Sequence, residues 1–128
     1  IKGILDIEDA REAVKTGAQA LVVSNHGGRQ LDGAQSSIEV LPEIVAAVGD
    51  QIEIMFDGGI RSGQDVVRAL ALGAKSCMIG RAYAYGLGAY GEAGVTKAID
   101  IIRNEMLVTM GLCGVNTVAE IDEHVLAG

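Results

Sequence analysis

An internal repeat constrains the fold of this chain more than any other feature. Residues 9–25 can be laid on residues 65–81 without a gap, and Gly3-Ile4 likewise falls on Gly59-Ile60. Matching positions include Asp9 with Asp65, Ala13 with Ala69, Gly17 with Gly73 and Ala18 with Ala74. Each copy contains a helical segment, a Gly-Ala turn, an apolar run and a polar loop. Because glycine commonly ends a helix in the left-handed conformation, each copy predicts a helix followed by a buried strand.

The same pattern predicts four strand–helix units along the chain. The first predicted strand ends near Lys2, and the others cover residues 20–24, 53–56 and 76–79. The predicted helices cover 7–16 with Asp6 as N-cap, 38–48, a segment from the 57–63 loop to Leu72, 83–90, 95–110 and 118–126. Pro42 fits best in the first turn of a helix, so the second helix is expected to begin nearer Leu41.

These units indicate an α/β fold with parallel strands. Continuous apolar strands joined through helices imply right-handed crossovers. Two architectures fit: part of a (β/α)₈ barrel, or a small open sheet. Every polar, glycine-rich loop follows a strand, and both architectures bind ligands at that end of their strands. The sequence therefore predicts a site formed by these loops.

Composition and charge exclude several classes of protein. The 128 residues suffice for one domain, and the 49% apolar content argues against a disordered chain. The net charge of −7 argues against nucleic-acid binding, which needs clustered Lys and Arg. Cys77 and Cys113 form no metal-binding or redox pattern, which favours a reducing, cytoplasmic setting with Cys77 as a small core residue. No apolar stretch is long enough to span a bilayer.

The loop Ser24-Asn25-His26-Gly27-Gly28-Arg29-Gln30-Leu31-Asp32-Gly33 carries the most chemical information. A histidine can accept a proton near neutral pH, and an arginine can bind a carboxylate through two parallel hydrogen bonds. The glycines allow tight turns and a close approach to a flat ligand. His26 is therefore either a structural residue or a base, and Arg29 is placed to bind a small carboxylic acid. His124 lies in an acidic tail and is expected at the surface.

Two further loops resemble a phosphate site in two parts. Asp57-Gly58-Gly59-Ile60-Arg61-Ser62-Gly63 and Gly80-Arg81 each follow a strand and precede a helix. Backbone N–H groups of glycines and helix N-termini favour anions, and Arg61 and Arg81 add positive charge. The alternative is a pair of tight turns with solvated arginines. Two such loops in consecutive units favour phosphate.

With these residues assembled, the chain resembles the carboxy-terminal half of the FMN-dependent 2-hydroxy acid oxidases and dehydrogenases. Ser-Asn-His-Gly-Gly-Arg-Gln-Leu-Asp at 24–32 is highly specific to that family. The glycine–arginine loops at 57–63 and 80–81 match as well, although other phosphate-binding barrels have similar loops. The resemblance covers nearly the whole chain. It implies a single (βα)₄ half-barrel domain over residues 1–128, holding strands five to eight of a (β/α)₈ barrel.

The resemblance also implies a role for each site residue. His26 would be the base and Arg29 would bind the substrate carboxylate. Lys2 would stabilise the negative charge of reduced flavin, and Ser24 would contact the flavin ring. The ribityl chain and phosphate of FMN would be held by Asp57, Gly58, Gly59, Arg61, Gly80 and Arg81.

The implied reaction is oxidation of an L-2-hydroxy acid of the lactate or glycolate type, with FMN as the cofactor. Oxygen, a quinone or a cytochrome would accept the electrons, and the protein would be a homo-oligomer. Membrane association would come only through a part of the family pattern that this chain lacks.

Two expectations concern the completeness of the chain. It starts with Ile1-Lys2-Gly3, within a strand, so we expect a fragment of a longer protein. The family's first four units supply flavin contacts, substrate-binding tyrosines and an aspartate that orients the histidine, so the isolated chain should have little activity. One alternative is a non-catalytic half-barrel that binds FMN or phosphate and pairs with a second copy. A weaker alternative is a barrel enzyme acting on a sugar phosphate, which leaves His26 and Arg29 unexplained.

Overall fold

A computed structural model describes residues 1–126 as alternating strands and helices. The strands are β1 (Lys2–Ile4), β2 (Ala20–Ser24), β3 (Glu53–Asp57) and β4 (Ser76–Met78). The helices are α1 (Ile7–Lys15), α2 (Ser37–Val48), α3 (Gly63–Ala71) and α4 (Arg81–Cys113). Single 3₁₀ turns cover His26–Gly28, Val118–Glu120 and Glu123–Val125.

The four strands form one parallel sheet in the order β1-β2-β3-β4. Each strand therefore pairs with the next one along the chain. A doubly wound open sheet reverses its strand order at the ligand site, whereas a barrel keeps the sequential order. The predicted α/β fold with parallel strands is confirmed, and the sequential strand order fits part of a (β/α)₈ barrel better than a doubly wound sheet.

The sequence repeat is a structural repeat. Helices α1 and α3 are both 9 residues long, and their N-caps, Asp6 and Ser62, accept hydrogen bonds from the first turn. Gly17 and Gly73 follow the two helices with φ of 79° and 101°. A side chain is strained at such angles, so glycine is required where the chain turns from helix to strand.

The core lies between the sheet and its helices. Leu21 and Val23 of β2 and Ile54 and Phe56 of β3 are at most 2% exposed, and they pack with buried residues of α1 and α2. Burying each such side chain contributes about 1.5–3 kcal/mol. Cys77 is only half-buried against this core, and burial raises the pKa of its thiol to about 11. The carboxyl ends of these strands and the polar loops that follow them lie outside this core and face solvent.

The start of α2 differs from its prediction. The helix begins at Ser37 rather than near Leu41, and Pro42 lies inside it. Pro42 removes one backbone donor, but it is exposed, while Val40, Leu41 and Ile44 are buried against the sheet. Burial of the apolar face therefore outweighs the cost of proline in the second turn.

One of the carboxy-terminal predictions also needs correction. The predicted pair of helices at 83–90 and 95–110 is confirmed, because α4 consists of two helices that meet at a kink, where Tyr90 (φ −144°) and Gly91 (φ 59°) have non-helical backbone. The two halves touch at glycines, since a Cβ built on Gly94 would lie 1.9 Å from the carbonyl oxygen of Gly86. The predicted helix at 118–126 is instead two single 3₁₀ turns, each followed by a residue with extended backbone.

Candidate active site

A cleft of about 520 Å³ opens at the carboxyl ends of the four strands. It gathers every predicted site residue except Ser24: Lys2, His26, Arg29, Asp57, Gly58, Gly59, Arg61, Gly80 and Arg81. These residues come from all four strand–loop junctions. Parallel strands bring their carboxyl ends to one edge, which is why residues far apart in sequence line the same cleft.

Lys2 and Asp57 form an ion pair on the floor of this cleft. Lys2 Nζ lies 2.6 Å from Asp57 Oδ2, and the two side chains are 36% and 20% exposed. Burial raises the pKa of Asp57, but hydrogen bonds from Lys2 and Ser24 and the charges of Lys2 and His26 together hold it below its ordinary value. Asp57 is therefore a carboxylate at neutral pH, and its negative charge compensates part of the positive charge of Lys2.

Ser24 lies beneath the cleft rather than on its wall. The residue is fully buried, and its Oγ donates to Asp57 Oδ2 at 2.7 Å. The same oxygen accepts hydrogen bonds from Lys2 Nζ at 2.9 Å and from the backbone N–H of His26 at 3.1 Å. The structure thus places Ser24 behind the charged pair, and the flavin contact that the resemblance implies for it stays a prediction.

The His26 loop is a tight turn. His26 has a left-handed backbone with φ of 55°, and Asn25 caps the turn by accepting a hydrogen bond from the Gly27 N–H at 2.9 Å. Ser37 of α2 accepts a hydrogen bond from the Asn25 N–H at 2.9 Å. Left-handed backbone is uncommon for non-glycine residues and clusters at functional sites. The turn presents the His26 and Arg29 side chains to the same cleft.

Gly3 makes room for the His26 ring. The residue lies at an irregularity in the pairing of β1 with β2, and its φ is 99°. A Cβ at Gly3 would lie 2.5 Å from Nε2 of His26, closer than any side chain allows. Gly3 was not predicted as a site residue. The sequence signal for Gly3 was its alignment with Gly59 in the internal repeat. Both glycines have positive φ in the structure.

The two glycine–arginine loops are not equivalent. The N-terminus of α3 is already capped, because Asp65 Oδ2 accepts from the Arg61 and Ser62 N–H groups and Glu105 of α4 accepts from the Gly63 N–H. The N-cap of α4 is Gly80, and no side-chain hydrogen bond caps the N-terminus of this helix. An anion in this cleft therefore finds free helical N–H groups at α4, with the Arg61 and Arg81 side chains beside them.

The residues that fix the turn, Asn25 and Ser37, were also missed as contributors to the site. Asn25 could have been recognised as a turn residue, since a short polar side chain often accepts a nearby backbone N–H. Ser37 carried no signal, because its contact depends on how α2 packs. His124 is 85% exposed at its side chain, as predicted. Within residues 1–126 no group of His, Cys, Asp and Glu is arranged to hold a metal ion.

The whole chain resembles one family of known proteins. The family model described as FMN-dependent dehydrogenase matches residues 1–128. The chain belongs to this family. L-lactate dehydrogenase of Caulobacter vibrioides is 61% identical over 127 residues, covering 99% of this chain and 33% of that protein. L-lactate dehydrogenase of Azorhizobium caulinodans is 56% identical over 128 residues, covering 100% of this chain and 34% of that protein.

Solved structures agree with the fold. A crystal structure of mandelate oxidase with 3,3-difluoro-2-hydroxy-3-phenylpropionic acid has a TM-score of 0.91 and 51% identity. The match covers 95% of this chain and 37% of that one. The chain therefore spans about a third of the length of the relatives it matches. Among the described residues, no helix combines the length and apolar character needed to cross a membrane.

Proposed function

We propose that this chain supplies the substrate base and the FMN phosphate site of an enzyme that oxidises an L-2-hydroxy acid, of the lactate or glycolate type, to the 2-oxo acid. The observation that carries the proposal is the single cleft that holds His26, Arg29, Lys2 and the two glycine–arginine loops. The relatives named L-lactate dehydrogenase and mandelate oxidase support this class of substrate.

His26 and Arg29 have different roles toward the substrate, one as the base and the other as the carboxylate-binding group. Oxidation of a hydroxy acid removes protons as well as electrons, so the reaction needs a base beside the reacting carbon. The imidazole of His26 accepts a proton there; the left-handed turn directs its side chain, and Gly3 leaves room for the ring. The guanidinium group of Arg29 binds the carboxylate through two hydrogen bonds and so fixes the orientation of the substrate.

The residues of the cleft fit FMN. A Cβ at Gly80 would meet no atom of the described residues within 4 Å, so packing against them does not explain the glycine there. A phosphate approaching the uncapped N-terminus of α4 does explain it. Arg61 and Arg81 would bind that phosphate, while Asp57, Gly58 and Gly59 line the path from it to Lys2.

FMN, when bound, accepts the two electrons that leave the substrate. The Lys2 ammonium group has three donors, and Asp57 and Ser24 take two of them. The third donor is not used by any residue in the part of the chain that the structure describes, and it is available to the negative charge of reduced flavin. The final electron acceptor is oxygen, a quinone or a cytochrome, and turnover with each class tells them apart.

The test uses the full-length protein that carries this segment, with FMN bound. We expect a flavin absorption band that bleaches anaerobically with L-lactate or glycolate. Replacing the base in His26→Gln should lower kcat by about 10²–10⁴-fold while FMN stays bound. His124→Gln is the matched control, because His124 is exposed and does not line the cleft. A wild-type protein that binds no FMN, or a His26→Gln variant with normal turnover, contradicts the proposal.

A further inference from the structure

The hydroxyl group of Ser24 is hydrogen-bonded both to the Lys2 side chain and to the backbone of His26. A serine hydroxyl has one donor and two acceptor sites, and all three are used here. It donates to Asp57 Oδ2 and accepts from Lys2 Nζ and from the His26 N–H, at distances between 2.7 and 3.1 Å. The residue is fully buried, so water does not compete for these bonds.

The sheet places this hydroxyl with little freedom. Ser24 is the last residue of β2 and pairs in register with Asp57, the last residue of β3. Lys2 enters from the neighbouring strand β1. A single oxygen thus connects three consecutive strands where the cleft begins. This oxygen contacts the ammonium group of Lys2, which is proposed to interact with the flavin. It also contacts the backbone of His26, which is proposed as the base.

We propose that Ser24 is a positioning residue that holds the Lys2 ammonium group and the His26 turn in a fixed relation, without itself contacting substrate. This inference rests on the proposed function. Without the hydroxyl, Lys2 keeps its attraction to Asp57 but loses one of the two contacts that fix its direction. His26 loses the side-chain acceptor that supports its left-handed backbone, a conformation that is unfavourable for a non-glycine residue.

The experiment compares Ser24→Ala with Ser76→Ala in the full-length protein. The hydroxyl oxygen of Ser76 on β4 is also buried, but it has no hydrogen-bond partner among the described residues and Ser76 does not line the cleft. With FMN bound, we expect Ser24→Ala to lower kcat about tenfold with KM changed less than about twofold, since a lost hydrogen bond to a charged group acts on positioning. The midpoint potential of the flavin should become more negative. Ser76→Ala should leave kcat and the potential close to wild type.

A second measurement does not depend on turnover. In FMN-free protein, the rate at which acetic anhydride acetylates Lys2 is followed by peptide mass spectrometry. We expect this rate to rise at least about threefold in Ser24→Ala and to stay unchanged in Ser76→Ala, because a loosely held amine is more accessible to the reagent. If Ser24→Ala does not fold, Ser24→Cys replaces it, since a thiol is a much weaker donor and acceptor.

The outcomes separate the two proposals. If the wild-type protein does not bind FMN or oxidise a hydroxy acid, the proposed function fails, while the acetylation rates still test the contact between Ser24 and Lys2. If the wild-type protein is active and Ser24→Ala matches Ser76→Ala in kcat, flavin potential and Lys2 acetylation, Ser24 contributes only packing and the inference is overturned.

Discussion

At the scale of single residues, the Lys2–Asp57 pair is the main electrostatic feature of the site. A fully exposed pair contributes little, but this one is partly withdrawn from water and is tied to a buried serine. The Lys2 ammonium group therefore interacts with Asp57 and remains able to bind an anion that enters the cleft. This arrangement keeps an ammonium group in place before a ligand arrives, so that less ordering is left to the binding step.

The lowered pKa of Asp57 predicts how stability changes with pH. The pKa in the folded protein lies below the ordinary value of 3.8, so ionised Asp57 stabilises the fold above that value. This contribution is lost as the pH falls through the folded pKa. Asp57→Asn should lower the free energy of unfolding at pH 7 by about 1.5–3 kcal/mol, because the amide cannot replace a charged hydrogen-bond acceptor.

The measurement is urea unfolding of FMN-free full-length protein between pH 7 and pH 2. The difference between wild type and Asp57→Asn should shrink as the pH falls and vanish once Asp57 is protonated. Asp50→Asn is the control, since Asp50 is exposed and far from the cleft. A difference that stays constant across this pH range would show that the ion pair contributes nothing.

At the scale of elements, α3 and α4 meet so closely that one helix caps the other. A Cβ on Gly63, the first residue of α3, would lie 1.9 Å from the backbone N of Met106 and 2.6 Å from the carbonyl oxygen of Ile102. Glu105 of α4 accepts a hydrogen bond from the Gly63 N–H at 2.9 Å. This contact closes the N-terminus of α3 to anions and leaves the N-terminus of α4 as the open one.

The contact predicts opposite effects for two glycine substitutions. Gly63→Ala should destabilise the protein by about 3 kcal/mol, because the clash is with backbone that cannot move aside cheaply. Gly88→Ala should stabilise it by up to about 1 kcal/mol, because a Cβ there meets no atom within 4 Å and alanine favours a helix. Thermal unfolding of both variants checks this. Equal melting temperatures would mean that α3 and α4 do not pack as described.

The elements also show what the sequence could predict. The strands, α1 and the break in α4 follow from apolar periodicity and glycine, which act locally, and these predictions agree with the structure to within a residue or two. The Lys2–Ser24 and Ser24–Asp57 contacts join residues 22 and 33 positions apart, so they depend on strand register. Sequence reasoning placed these residues at one rim but could not show that Ser24 lies beneath it.

At the scale of the whole molecule, the described part of the chain is a sheet with two open edges. Strands β1 and β4 each pair on one side only, so both leave backbone donors and acceptors unpaired. Met78 on β4 is 39% exposed, and large apolar side chains of α4 are also exposed, among them Tyr85, Tyr90 and Leu112. Surfaces of this kind favour association with further strands and apolar partners.

This open sheet predicts that residues 1–128, expressed alone, will show little or no hydroxy acid oxidation even with FMN added. The cleft has walls from four strand ends only, and water entering its open side weakens every hydrogen bond to a charged ligand. The isolated chain should also self-associate, which analytical ultracentrifugation measures. Adding the separately expressed preceding part of an L-lactate dehydrogenase relative should restore FMN binding and turnover, and the same mixture with His26→Gln is the control. Turnover by the isolated chain at the rate of a whole enzyme would show instead that four strand–helix units suffice for the reaction.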